Sequence, residues 1–245
     1  MTTPLTLLTG ASRGLGLAMA RQLAAQGHRL LTISRHRNDT LPAEVLQWSA
    51  DLAEPAPVAQ ELAQWLGAQD PRALASATII HNAGVISRLA PLGEVPADDL
   101  ARALRVGLEA PMLLTGAFLR ATAAWGVPRR VLLISSGLGR RAMAGSASYC
   151  AAKAGLDHLA RALALEEAAR PDGARVVSLA PGVIDTDMQV QLRSADAAQF
   201  PERRRFTALK EGGQLDSPEQ AAAKVLAFLA RPDFGTNPVA DVRDA

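Results

Sequence analysis

The chain has one cysteine in 245 residues, Cys150, so it can close no internal disulfide and offers zinc no cysteine cluster. Cys150 itself reads as a small side chain buried in a helix rather than as a nucleophile. The four histidines, His28, His36, His81 and His158, have no metal-ligand spacing, and no metal site is expected. Aromatic residues are scarce, at 4%, and the formal net charge is only +2. With so few stacking platforms and no strong field, nucleic acid is not an expected partner. No apolar run is long enough to span a bilayer, and no basic-then-apolar leader precedes the strand-like run that starts at Leu5; a cytoplasmic protein is expected. Repeats, low-complexity segments and linkers are absent as well. What remains is 49% hydrophobic and 20% charged, an ordinary soluble composition, and the length suits one α/β domain with a full core.

The chain also has one tyrosine, and its surroundings carry chemistry. Tyr149 and Lys153 are four residues apart in a helix-favouring run, so their side chains leave one face one turn apart. A free phenol titrates near ~10, but a cation at about 4 Å in a medium of effective dielectric about 20 contributes roughly 4 kcal/mol toward the phenolate. Lys153 is therefore expected to bring Tyr149 into working range for proton transfer. Ser136, just after the apolar run VLLIS, supplies a second hydroxyl that can hold a carbonyl or alcohol oxygen.

Near the N-terminus, LTLLT leads directly into GASRGLG and then into the helical pattern LAMARQLAAQG. Strand, glycine turn and helix in that order form a dinucleotide site. Gly10 permits the tight turn, Gly14 lets backbone approach phosphate, and Gly16 lets helix and strand pack closely. The second strand, Arg29–Arg35, ends in Ser34-Arg35-His36-Arg37 with no acid to bind a ribose hydroxyl. A basic group there accommodates a 2′-phosphate. Further strands are expected at Val45–Leu52, Ala77–His81, RRVLLISS and RVVSLAPG, with helices between them over Val58–Gln69 and, as one long element, from Asp98 to Trp125. SPEQAAAKVLAFLA opens with a cap-like Ser217-Pro218-Glu219, and NPVADVRDA gives a last strand and tail.

A TGxxxGxG turn, an NAG turn after an apolar strand, and a serine upstream of YxxxK together resemble the compact short-chain dehydrogenase/reductase family over essentially the whole chain. The resemblance implies a single-domain Rossmann fold, a doubly wound parallel sheet with helices on both faces. It makes Ser136, Tyr149 and Lys153 the catalytic serine, tyrosine and lysine. Cofactor contacts are implied at Gly10, Ser12, Arg13, Gly14, Leu15 and Gly16, then at Ser34 and Arg35, with Arg13 and Arg35 an NADP(H) pattern. They continue at Asp51 and Leu52 against adenine, through Asn82, Ala83 and Gly84, at Tyr149 and Lys153, and at Pro181, Gly182, Val183, Ile184 and Thr186 toward the nicotinamide.

The chain departs from the family at Gly107, where a fourth catalytic residue, asparagine, usually interrupts a helix and its carbonyl holds a relay water. Pro111 has no N–H, so the Gly107 carbonyl still loses its helical partner, and the relay is expected to survive through backbone. The polar excursion from Met188 to Gly213 is expected to be a mobile substrate lid. Arg203, Arg204 and Arg205 within it read as a solvated face, and Leu138, Met143 and Met188 as side chains that shape the pocket. The Tyr149 helix is apolar on more than one side, which together with the region of Leu113, Leu114 and Phe118 points to a homodimer or homotetramer. The expected activity is NADPH-dependent reduction of a ketone or diketone, as in the sepiapterin reductase and benzil reductase branch that the chain resembles. A dinucleotide-binding sensor or scaffold of low turnover is the alternative that Gly107 leaves open. An epimerase or dehydratase normally needs a longer chain.

Overall fold

The computed structural model describes residues 2–244, so the last residue of the expected tail lies outside it. Seven strands form one parallel sheet: β1 (Thr3–Thr9), β2 (Arg29–Ser34), β3 (Leu46–Ser49), β4 (Leu74–His81), β5 (Arg129–Ile134), β6 (Arg175–Ala180) and β7 (Val239–Asp241). Their order is β3-β2-β1-β4-β5-β6-β7. The central strands are buried at nearly every residue of their carboxyl halves because both faces are covered, as in other all-parallel sheets. The order reverses between β1 and β4, and the crevice beyond their carboxyl ends is where such sheets bind ligands.

Helices α1 (Gly14–Ala25) and α8 (Pro218–Leu229) cover one face over Leu8, Met19, Leu23, Ile80 and Val225. On the other face, α2 (Pro55–Gly67), α4 (Ala110–Ala121) and α5 (Ala147–Ala168) cover Leu7, Leu31, Leu62, Phe118 and Leu156. Ser217 caps α8 with a full capping box, accepting from Gln220 N at 3.2 Å while Gln220 Oε1 accepts from Ser217 N at 2.9 Å.

Five local expectations need correction. First, β3 ends at Ser49, not Leu52, because its only partner β2 ends at Ser34. Asp51 and Leu52 are thereby released from the sheet toward the crevice. Second, the expected long helix is broken into α3 (Ala97–Leu104), a π-helical turn (Arg105–Glu109) and α4. Pro111 cannot donate to the fourth carbonyl back, and the wider turn absorbs the missing bond.

Third, the excursion after Met188 is not loose. It folds into α6 (Asp187–Ser194) and α7 (Arg203–Glu211) over an apolar cluster of Leu89, Met143, Leu192, Phe200 and Phe206. The rings of Phe200 and Phe206 stack with centroids 5.8 Å apart. Fourth, Leu114 and Phe118 are fully buried in the chain's own core, so they face no partner; Met112 and Leu113 on the same helix are exposed. Fifth, Cys150 is half-buried rather than buried. Among the described residues, no helix is long and apolar enough to cross a membrane, and no cluster of possible metal ligands occurs.

Candidate active site

A cleft of about 660 Å³ runs along the carboxyl ends of the strands. Its floor at one end is the turn from Gly10 to Gly16. Gly10 has φ +73°, a conformation that favours glycine, and a Cβ there would lie 2.8 Å from Ala83 Cα. At Gly16 a Cβ would lie 2.0 Å from the carbonyl oxygen of Gly10, so no other residue lets α1 start this close to β1. The turn is braced from both sides. Asn82 Nδ2 donates to the carbonyls of Thr9 and Gly10 at 3.2 and 3.0 Å, and Ala11 N donates to Ser34 Oγ at 2.8 Å. The first turn of α1 carries no acid, so its free N–H groups present only positive potential to the cleft. The family resemblance implies a bracing role for the Asn82–Gly84 turn, but not which atoms it holds; the two braces join segments separated by 72 and 23 residues.

All of the sequence-derived cofactor residues line this one cleft: Ser12, Arg13 and Leu15 with the three glycines, Ser34 and Arg35, Asp51 and Leu52, Asn82 to Gly84, and Pro181 to Ile184 with Thr186. The Pro181–Thr186 stretch is held by Asp216, whose N donates to Val183 O at 2.9 Å and whose O accepts from Asp185 N at 2.9 Å. Arg35 is exposed at the rim. Arg13 reaches Asp187 Oδ2 at 2.6 Å, an exposed pair. Asp51 is held below the usual carboxylate range first by the N–H of Ala53, then by Arg102 and Arg35. Arg102, 2.9 Å from Asp51 Oδ2, is a cleft residue that the sequence reading missed.

At the other end stand Ser136, Tyr149 and Lys153. β5 delivers Ser136 to its carboxyl end, and the turn Gly137–Gly139 folds back so that Leu138 N donates to Ser136 Oγ at 3.2 Å. The chemistry differs from the expectation in one respect. Burial pushes the Tyr149 phenol up to about 12, and a hydrogen bond from Ser136 only partly offsets this. The Lys153 ammonium Nζ donates to Ile134 O at 2.6 Å and sits 5.5 Å from the Tyr149 ring centroid. Burial brings Lys153 itself down to about 8, against an opposing pull from Asp157. In this geometry burial favours the protonated phenol, opposite to the shift expected from Lys153.

Gly107 is not part of the cleft. It is buried in the π turn, where a Cβ would lie 3.1 Å from Ala152 Cβ on α5. The wall beyond Tyr149 is built from Ile86, Leu138, Met188, Gln189, Leu192, Phe206 and Leu209, with Arg141 and Arg205 also on the cleft. Met143 packs behind this wall in the apolar cluster instead of lining it. Gln189 is 7% exposed, and its Oε1 has no partner within the protein, which leaves an acceptor at the wall of the cleft. The positions of Leu138 and Met188 in the wall were legible beforehand; Gln189, Leu192, Phe206 and Leu209 enter it because α6 and α7 fold over.

The family model for short chain dehydrogenase matches residues 5–197. The chain is 33% identical over 235 residues to a benzil reductase ((S)-benzoin forming) of Bacillus cereus, covering 93% of this chain and 94% of that protein. It is 32% identical to the sepiapterin reductase of Meriones unguiculatus, over 97% of this chain and 95% of the relative. A putative 2-deoxy-d-gluconate 3-dehydrogenase from Agrobacterium tumefaciens, crystallised with bound NADP, is similar with a TM-score of 0.79 and 27% identity, covering 99% of this chain and 95% of that one. Since the matched segment takes in the glycine turn together with Ser136, Tyr149 and Lys153, the chain belongs to the short-chain dehydrogenase family of oxidoreductases.

Proposed function

We propose that the protein is an NADPH-dependent carbonyl reductase that acts on ketones or diketones, reversible in principle as an alcohol dehydrogenase. The observation that carries this reading is the meeting of two hydroxyls, Ser136 and Tyr149, at one end of a cleft whose other end is a braced, acid-free glycine turn. The cradle fits a dinucleotide: Gly16 has no space for a Cβ, and the start of α1 offers N–H groups to a pyrophosphate. Arg35, exposed at the end of β2 where an acid would select the unphosphorylated ribose, would hold a 2′-phosphate with Arg13.

The bound cofactor supplies the hydride. Ser136 holds the substrate oxygen and Tyr149 donates its proton to that oxygen. A phenol held up near about 12 is protonated at neutral pH, the state that reduction requires and alcohol oxidation does not. Lys153 would hold the nicotinamide ribose and feed the proton supply behind Tyr149. The helices α6 and α7, spanning the excursion 188–213, exclude water from the substrate side as a lid.

The relatives named for benzil and sepiapterin suggest activated, flat carbonyl substrates, and the wall of Leu138, Met188, Leu192 and Phe206 supports this. A homodimer or homotetramer is also proposed, with the contact on Met112 and Leu113 of α4 and Leu165 of α5, which are 49%, 37% and 77% exposed.

The test is a panel of ketones and diketones, benzil among them, assayed with NADPH and with NADH. The expected result is turnover of a diketone with kcat/KM for NADPH at least about tenfold above that for NADH, one charge-assisted phosphate contact's worth. Equal use of both cofactors rejects the NADPH assignment. Binding of NADPH with no turnover of any carbonyl rejects the reductase in favour of a sensor.

A further inference from the structure

One buried carboxylate next to the active site has no part in the reaction described above. Asp157, 2% exposed, lies one turn beyond Lys153 on the same face of α5. Its Oδ1 accepts from the hydroxyls of Ser135 and Ser178, each at 2.7 Å, and its Oδ2 accepts from Arg140 Nε at 3.2 Å. These partners come from three other places: the end of β5, β6, and the turn that follows Ser136. Arg140 continues the chain of contacts, with Nη2 donating to Ala240 O at 2.8 Å and Nη1 4.0 Å from the buried carboxylate of Asp241, which Arg243 also pairs. The turn is pressed onto the helix at this point. A Cβ on Gly139 would lie 2.8 Å from Asp157 Oδ2 and 2.9 Å from Lys153 O.

We propose that Asp157 is a positioning residue of the active site: from one turn beyond Lys153 it clamps the Ser136 turn to the helix that carries Tyr149 and Lys153. The clamp follows from geometry. Ser135 and Arg140 flank the Ser136 turn on both sides, and both are fastened to one carboxylate that shares its helix with Tyr149. Without it, the spacing of the two hydroxyls in the cleft depends on a short glycine-rich turn alone.

The charge argument follows from the neighbours of Lys153. On α5 they are Tyr149, with Cys150 beside it, and Asp157; the end of β5 offers the Ile134 carbonyl and the loop after β4 offers Gly84, neither of them charged. Asp157 is thus the anion that works against the burial of the lysine, and Arg140, backed by Asp241 and Arg243, balances part of its charge. Removing Asp157 and removing Arg140 should therefore move Lys153 in opposite directions. A merely structural pair would not do this.

The consequence for turnover rests on the reductase reading, whereas the lysine titration does not. The chain has only three lysines, Lys153, Lys210 and Lys224, so 13C-lysine labelling of the full chain gives three Cε signals to follow against pH. Lys210 and Lys224, each paired with an exposed-side aspartate, Asp185 and Asp216, are internal controls. In Asp157→Asn the Lys153 midpoint is expected to fall by about half a unit or more, and in Arg140→Ala to rise, with both controls unmoved. Arg140→Lys should return the midpoint toward wild type.

With NADPH and a diketone, kcat of Asp157→Asn should drop by about tenfold with a smaller change in KM, and its alkaline limb should move to lower pH. If Asp157→Asn fails to fold, Arg140→Ala and Arg140→Lys carry the test. A Lys153 midpoint that stays put in these variants, or moves the same way in both Asp157→Asn and Arg140→Ala, overturns the proposal. Opposite shifts in an enzyme that reduces no carbonyl uphold Asp157 and reject the reductase reading instead.

Discussion

At the scale of single residues, Tyr149 works in the proposed reaction from its protonated form. The half-buried phenol loses hydration, the Ser136 hydroxyl restores part of it, and the Lys153 ammonium is turned to the Ile134 carbonyl. Tyr149→Phe keeps the ring and its packing, and removes only the proton. Its kcat is expected to fall by about 10²- to 10⁴-fold, with the melting temperature and NADPH affinity little changed. Full turnover by the phenylalanine variant would remove Tyr149 from the mechanism. The pairing of Tyr149 with Lys153 could be read from a four-residue spacing, since helical geometry is local. The direction of the tyrosine shift could not, because it depends on desolvation and on a carbonyl 19 residues away from the lysine in the chain.

At the scale of elements, the π turn between α3 and α4 decides what Gly107 can be. Pro111 at the start of α4 withholds a donor from the Gly107 carbonyl, the turn widens, and the glycine packs face to face with Ala152. A Cβ added there would press on Ala152. Gly107→Asn should therefore cost about 1–3 kcal/mol in urea unfolding, as overpacking does, and change kcat by no more than a few fold. A rise in kcat of many orders of magnitude would mean that the wild-type relay is broken. The proline and the glycine were visible in sequence as helix breakers. Their effect on the path of the chain was not, since the close approach of Ala152 comes from a helix 45 residues further on.

For the molecule as a whole, the pH dependence of stability has a sign fixed by buried histidine. His81, 2% exposed at the end of β4, contacts Thr115 Oγ1 at 2.8 Å through Nε2, and burial lowers it to about 3. Half-buried His28 is lowered too. Above an unfolded value near ~6.5 neither state binds the proton, and the native state keeps its full advantage. Below that, the unfolded chain protonates first, and each lowered histidine removes about 1.4 kcal/mol per pH unit until its folded value is reached. Urea midpoints should fall between pH 6.5 and 5, and the fall should be smaller in His81→Gln; a flat profile across that range contradicts it. The exposed Leu165, Met112 and Leu113 make a second prediction: sedimentation should find a dimer or tetramer at micromolar concentration. A concentration-independent monomer excludes that assembly.

The amino-acid sequence by itself determined the order of strand, glycine turn and helix, and it named residues that line one cleft, among them Ser136, Tyr149 and Lys153. Those features rest on short-range geometry: a turn that needs glycine, a helix repeat, and apolar runs that need cover on both faces. The tertiary structure alone decided where β3 stops, that the segment after Met188 is two helices on a shared apolar cluster, and that Asp157 meets Ser135, Ser178 and Arg140. The physical reason is common to all three. Each is set by what the fold brings alongside, a strand of finite length, a patch of aromatic rings, or a buried charge that must find its donors.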